Sequence, residues 1–217
     1  MPEFPADPLE PAEFLERWLP EAFAELPLPE GADQLDVQLG LQLDGEGGGE
    51  WVMHVSAGRL QVKAEPRGEA GLSVVQSVAD WRGALWEGRG GVIGQGAASL
   101  FRPEGRALAD QAGRTLALPA LASLSPLREL DGLLRLVVSG GEGGDWAVGV
   151  KLGGGPIPEQ ATTTVTLAAG DAAAMAAGEL NPLEAFMAGR IQLAGDVALM
   201  MQIQAILMQA SSGEGNG

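Results

Sequence analysis

The sequence predicts an α+β protein built from two tandem units, and three observations predict it. Apolar and polar residues alternate with period two in several short runs, the pattern of half-buried strands. Between these runs lie segments of helical periodicity that open on Asp or Asn and close near Gly. A Gly- and Glu-rich turn followed at once by a Trp-led strand occurs twice, with Trp51 and Trp146 95 residues apart.

The elements follow in order. Phe14, Leu15, Trp18, Leu19, Ala22, Phe23 and Leu26 share one face of a helix, with Pro20 expected to kink it or to sit in the first turn of a restarted helix. Leu35, Val37, Leu39, Leu41 and Leu43 alternate with polar residues or Gly as a strand. Trp51, Met53 and Val55, then Leu60 and Val62, continue an antiparallel meander after the turn at 45–50. Leu72 to Val75 is a further strand, and Val78 to Trp86 is helical. The order recurs: a strand at 133–138, a Gly-rich turn at 140–145, a Trp146 strand, a β-branched strand at 162–167 and a helix near Asp171. Asp80 and Asp171, 91 apart, are taken as helix caps. Residues 88–130 are the least legible. Arg102 to Arg114 is a helix candidate, Leu116 to Leu130 is a candidate leading helix of the second unit, and the alternative is that 97–112 closes the first unit. The expected boundaries are a degenerate unit at 1–108, a complete unit at 109–210 and a disordered tail at 211–217.

Composition narrows the function. At 217 residues and 46% hydrophobic, the chain has material for a sizeable core. Thirteen Lys and Arg stand against 29 Asp and Glu, a net charge of −16, which argues against nucleic acid and against anionic membranes. The absence of Cys excludes disulfides, thiolate metal sites and a cysteine nucleophile, and a single His excludes a His-rich metal site. No phosphate-binding glycine loop, dinucleotide fingerprint, zinc-protease motif or serine elbow occurs. Gly94-Gln-Gly96 reads as a flexible turn, and His54 as a sheet-surface side chain. Glu13, Glu16 and Glu21 read as a solvated helix face, while Trp81 and Trp86 suit either core packing or a cavity mouth. The acidic turns lack the spacing of a calcium loop. No catalytic residue, cofactor or metal is expected. The N-terminus lacks the pattern of a signal peptide and no apolar run is long enough to span a membrane, so a cytoplasmic location is expected.

Residues 162–210 are the most informative. Asn181-Pro182-Leu183-Glu184 supplies a cap, a Pro at the first helical position and an acid at the third. The helix it starts should stop at Gly189. Residues 190–194 then alternate as a strand, and Asp196 caps a last helix from Val197 to Gln209. Ten of the 12 residues from Val197 to Met208 are apolar, where a surface helix shows only a stripe. Plain core, a cavity wall and a dimer contact are all open for it, and Met187, Met200, Met201 and Met208 suit an adaptable apolar surface.

The run from Gly178 to Asp196, with Pro182, Ala185-Phe186-Met187, Gly189-Arg190 and Gly195-Asp196, resembles the C-terminal hallmark of sterol carrier protein 2 domains. The resemblance covers about 115–210 well and about 10–110 weakly. Phe101, Gly105 and Arg106 echo Phe186, Gly189 and Arg190 only with shifted spacing. It implies a mixed, five-stranded sheet covered by helices, with an apolar tunnel for a fatty acyl, isoprenoid or sterol-like lipid. Its wall would include Phe186, Met187, Ile191, Leu193, Leu199, Met200, Ile203 and Leu207. It implies non-enzymatic binding or carriage. The alternative is an interaction or scaffold module, a homodimer or the accessory factor of a biosynthetic complex, with its pocket filled by side chains.

Overall fold

The computed structural model describes residues 3–26, 32–68, 70–94, 96 and 125–212. Eight strands form one continuous sheet: β1 (Asp36–Asp44), β2 (Gly49–Ser56), β3 (Arg59–Lys63), β4 (Leu72–Ser77), β5 (Gly132–Gly141), β6 (Gly144–Leu152), β7 (Thr163–Ala168) and β8 (Ile191–Gly195). Their spatial order is β3-β2-β1-β4-β6-β5-β7-β8. In the N-terminal half β1 pairs antiparallel with β2 and parallel with β4. In the C-terminal half β5 pairs antiparallel with β6 and parallel with β7. Three strands of each half are thus paired alike, β2-β1-β4 and β6-β5-β7, while the fourth differs, β3 lying beside β2 and β8 beside β7.

The expected five-stranded sheet is corrected to eight strands. Each half presents four, which leaves β4 and β6 with open edges. Those edges pair antiparallel, Leu72 opposite Leu152 and Val74 opposite Val150, so backbone groups that burial would otherwise strand are hydrogen-bonded.

Strand register carries one face across the whole sheet. Leu41 lies opposite Trp51 and Val74, Val74 opposite Val150, Val150 opposite Leu134, and Leu134 opposite Thr163. The large apolar side chains of the sheet lie mainly on this face, and the helices pack there. The first helical run comprises α1 (Pro11–Glu13), a π turn (Phe14–Trp18) and α2 (Leu19–Ala24). The expected interruption at Pro20 takes the form of that π turn, where the Leu19 N–H donates to the Phe14 carbonyl. It packs with α3 (Val78–Trp86) over β1, β2 and β4, burying Phe14, Leu15, Leu41, Leu43, Trp51, Trp81 and Leu85. Trp81 and Trp86 belong to this core. Glu13, Glu16 and Glu21 are exposed, and Glu16 in addition accepts the Trp51 indole N–H through Oε1 at 2.9 Å.

α3 also joins the halves. Its Ala84 packs with Trp146, whose indole N–H donates to the Asp80 carbonyl at 3.0 Å. The short α4 (Gly91–Gly94) follows, and Gly90 abuts Trp146 so closely that a Cβ would sit 2.6 Å from the ring. Asp80 is not the cap of α3. Ser77 caps it, its Oγ accepting the Asp80 N–H and donating to the Asp80 carboxylate.

Of the least legible segment, 88–130, the described residues are 88–94, 96 and 125–130, which hold α4 and a turn of 3₁₀ helix at Ser125–Glu129. The helix candidates at 102–114 and most of 116–130, the closing role of 97–112 and the boundary at 108/109 lie outside them. The last helix reaches Ser212, two residues into the expected tail, and 213–217 lie outside the described residues.

The other face, on which none of the described helices packs, carries Gln38, Gln42, His54, Gln61, Arg135 and Thr164, with Val52 and Leu133 buried among them. His54 pairs there with Asp36 at 2.6 Å. Two loops cross it at the seam between the halves. Lys151, 1% exposed, donates to Asp131 at 2.7 Å and to the carbonyls of Leu152, Gly153 and Gly154. Arg67 reaches from the 64–70 loop to Ser73 and to the carbonyl of Gly155.

Candidate functional site

The covered face of the C-terminal half is built by three helices laid over β5 to β8. α5 (Ala169–Ala176) starts directly after β7. Its cap is Ala168, so Asp171 occupies the third helical position rather than the cap, and its carboxylate pairs with Arg190. α6 (Pro182–Met187) is capped as expected, Asn181 Oδ1 accepting from the N–H groups of Leu183 and Glu184. Gly189, at φ +72°, turns the chain into β8, a backbone conformation that side chains resist. Asp196 Oδ1 accepts the Ala198 N–H at the start of α7 (Val197–Ser212). Its backbone is latched to β7, N–H to the Thr162 carbonyl and carbonyl to the Thr163 hydroxyl. The latch places the first turns of α7 over the sheet.

Two packed clusters result. One holds Val138, Trp146, Leu167 and Ala172, with Ile191 and Met175 at its margin. The other holds Leu127, Leu152, Leu199 and Ile203, with Leu130, Met200 and Ile206 partly buried against it. Beside them, Leu136, itself packed against the first cluster, Val165 and Leu193 lie side by side across β5, β7 and β8. All three are only half-buried. This strip is a shallow apolar floor beside packed walls.

The residues expected to line a tunnel are thus distributed rather than gathered. Ile191 joins the Trp146 cluster, Leu193 is part of the strip, and Leu199, Met200 and Ile203 join the Leu152 cluster. Leu199 and Ile203 are 4% and 8% exposed. Phe186 and Met187 lie outside both clusters, 45% and 79% exposed, together with Leu183, Val197 and Met201. Leu207 lies on α7, with its side chain outside the described residues. Val165 and Leu136 were not singled out from the sequence, although their alternation with polar neighbours was its signal. Which alternating position lies between two helices depends on where those helices land.

Charge is sparse here, Asp171 with Arg190 standing at the margin. The polar cavities lie toward the other face: one of about 430 Å³ against Gln42, Glu50 and Arg67, and one of about 530 Å³ against Gln38, Arg128 and Gly154. A third, about 220 Å³, opens where β4 and β6 splay and the Gln76 amide donates to the Ala147 carbonyl. Among the described residues, Asp131 has a displaced titration, held below the usual aspartate value by its hydrogen bond to Lys151 and by that residue's charge. Among the described residues no group of three or more His, Asp or Glu is placed to hold a metal ion, and no helix is long and apolar enough to cross a membrane.

Residues 114–208, which include this whole face, match the SCP-2 sterol transfer family. This stretch of the chain is an SCP-2 domain. Sterol carrier protein 2 of Rattus norvegicus is 32% identical over 90 residues, covering 38% of this chain and 16% of that protein. Hydroxysteroid dehydrogenase-like protein 2 of Xenopus tropicalis is 28% identical over 101 residues, 44% of this chain and 24% of that protein. The chain therefore spans less than a quarter of the length of either relative. Among solved structures, sterol carrier protein domain 2 of Helicoverpa armigera aligns with a TM-score of 0.31 at 21% identity, covering 49% of this chain and 84% of that one. Palmitated SCP2L2 from Aedes aegypti aligns with a TM-score of 0.31 at 22% identity, covering 46% and 93%. The SCP-2 domain of this chain holds β5 to β8 and α5 to α7, so the half-buried strip lies inside it.

Proposed function

We propose that the SCP-2 domain binds and carries an apolar, chain-like lipid on the covered face of β5 to β8, without catalysis. The observation that carries this is the strip of Leu136, Val165 and Leu193, left half-buried beside two packed clusters beneath a helix rich in Met and Leu. Apolar sheet residues at such a place gain by contact with a hydrocarbon, about 0.8 kcal/mol for each methylene removed from water. Ile191, Leu193 and Met200 would touch the ligand. Leu199, Ile203 and Leu207 would support the wall, and Phe186 and Met187 would form a flexible rim. The rat relative's name, a sterol carrier, supports this ligand class.

We also infer that the chain consists of two SCP-2-type units, 1–108 and 109–210, merged through β4 and β6. The like pairing within each half, the two Trp at the start of β2 and β6, and the two Asp at the third position of α3 and α5 support this. A cytoplasmic location belongs to the same proposal and is supported by the absence of Cys. A second use of the domain, assembly with a protein partner, is favoured by the exposure of Leu183, Phe186, Met187 and Met201.

Native mass spectrometry of the purified chain, followed by organic extraction, tests the carrier role. An adduct of a few hundred daltons and saturable uptake of a fluorescent fatty acid are expected. A clean apo mass with no uptake sinks the carrier role and leaves the assembly role.

A further inference from the structure

We infer that the outer edge of β8 pairs with the same edge of a second copy of this chain, antiparallel, about a two-fold axis at Leu193. β8 is the last strand of the sheet, and among the described residues no strand covers its outer edge. In an antiparallel ladder hydrogen-bonded and non-hydrogen-bonded pairs alternate. The Asp196 N–H donates to the Thr162 carbonyl, so Ala194 and Gln192 also bond toward β7. The N–H and C=O groups of Ile191, Leu193 and Gly195 therefore face outward, three donors and three acceptors in a row.

One register uses all of them. With Leu193 opposite Leu193 of the second copy, Ile191 falls opposite Gly195, and the six donors of the two strands meet six acceptors. The same register sets Arg190 of each copy beside Asp196 of the other. A slip of two residues in either direction removes one of the three pairs and separates the charges. Parallel pairing would set Arg190 beside Arg190. Arg190 has donors to spare for this, because its fork offers five N–H groups and Asp171 engages one terminal nitrogen. Asp196 uses Oδ1 on the Ala198 N–H.

The opposite edge of the sheet shows the contrast. β3 carries Arg59 and Lys63 at its two ends, so a two-fold at Gln61 would oppose like charges. β8 has no charge within it, and the exposed Met187 and Val197 flank it in the chain. Charge favours self-pairing at β8 and disfavours it at β3. The net charge of −16 per copy opposes any dimer, but beyond about 8 Å it is screened at physiological salt.

Sedimentation velocity of the full chain tests this, together with amide hydrogen exchange at low and high protein concentration. A dimer of twice 22.3 kDa, 44.6 kDa, is expected. On dimerisation exchange should slow at Ile191, Leu193 and Gly195, while Gln192 and Ala194 are protected at every concentration. Arg190→Glu opposes two carboxylates at each end and should weaken the dimer roughly tenfold. Asp196→Asn, which keeps the helix cap, should weaken it by a smaller factor. A chain that stays monomeric at 100-fold the concentration of the assay, about 1 mM, overturns the inference. So does a dimer in which the exchange of Leu193 is unchanged, whatever the variants do.

Discussion

The two halves of the covered face use alike strand pairing and opposite filling. Over β1, β2 and β4, five aromatic rings from Phe4, Phe14, Trp18, Trp81 and Trp86 interlock at centroid separations of 4.8 to 6.2 Å. Indole N–H groups fix the ends of this cluster, Trp51 on Glu16 and Trp86 on the Pro5 carbonyl. Over β5 to β8 a single ring, Trp146, packs at the end next to the seam, the rest of the space is filled by Ala, Val, Leu, Ile and Met, and Leu136, Val165 and Leu193 keep part of their surface. Rings that are wide, stiff and hydrogen-bonded leave no room, whereas branched and flexible aliphatic side chains leave a floor that can accept a further apolar group. On the carrier reading proposed above, capacity for a ligand belongs to side-chain filling and not to strand order.

Removing a ring is the strongest way to break this contrast. Trp81→Ala should cost about 3–5 kcal/mol in urea unfolding, because it empties a filled site at the centre of the aromatic cluster. Met200→Ala, at the margin of the C-terminal cluster, should cost under half of that. Equal losses would show the two halves to be equally packed. Gly90→Ala comes next, at about 1–3 kcal/mol, since it adds a Cβ against Trp146 at a backbone φ of +73°. It should lower the thermal midpoint without altering the Trp51 environment.

The comparison sharpens at Val165. Val165→Phe fills the strip and should reduce fatty-acid uptake at least tenfold, with a stability change of about 1 kcal/mol or less in either direction. Undiminished uptake would place the ligand elsewhere. The smallest effect belongs to the seam on the other face. Asp131 is held below its usual value near 3.8 by Lys151. Its contribution is therefore fully present above that value and is lost as pH falls through the lowered folded-state value. Asp131→Asn should flatten this acid limb of the urea midpoint measured from pH 7 to pH 2.5, by lowering the midpoint slightly at pH 5 and above and leaving it at pH 2.5 nearly as it was.

Much of this was legible along the chain. Alternation placed β1, β2, β4, β5 and β7 to within a few residues, because period two survives any packing. Asn181 and Pro182, Gly189 and Asp196 marked the ends of α6, β8 and α7 through local hydrogen bonds and one positive φ, which need no distant partner. Other features were illegible for the opposite reason. Glu16 is exposed as its spacing suggests, but nothing near it announces that it also accepts from an indole 35 residues away. Asp80 and Asp171 look like caps, but β4 and β7 run on to Ser77 and Ala168 and move the caps three residues upstream. Phe186 and Met187 sit within the family's hallmark, and no sequence period says on which side of α6 they emerge.

Local chemistry along the chain settled the strands, the turns, the helix ends and the apolar excess of the last helix, because each depends on neighbours within a few residues. Tertiary structure alone decided that β4 and β6 would share one ladder, that the described helices would lie on one face, and that Val165 and Leu193 would stay half-covered. Those outcomes depend on which open edges meet and where helices distant in sequence come to rest, and contacts across more than 70 residues leave no period in the chain to read.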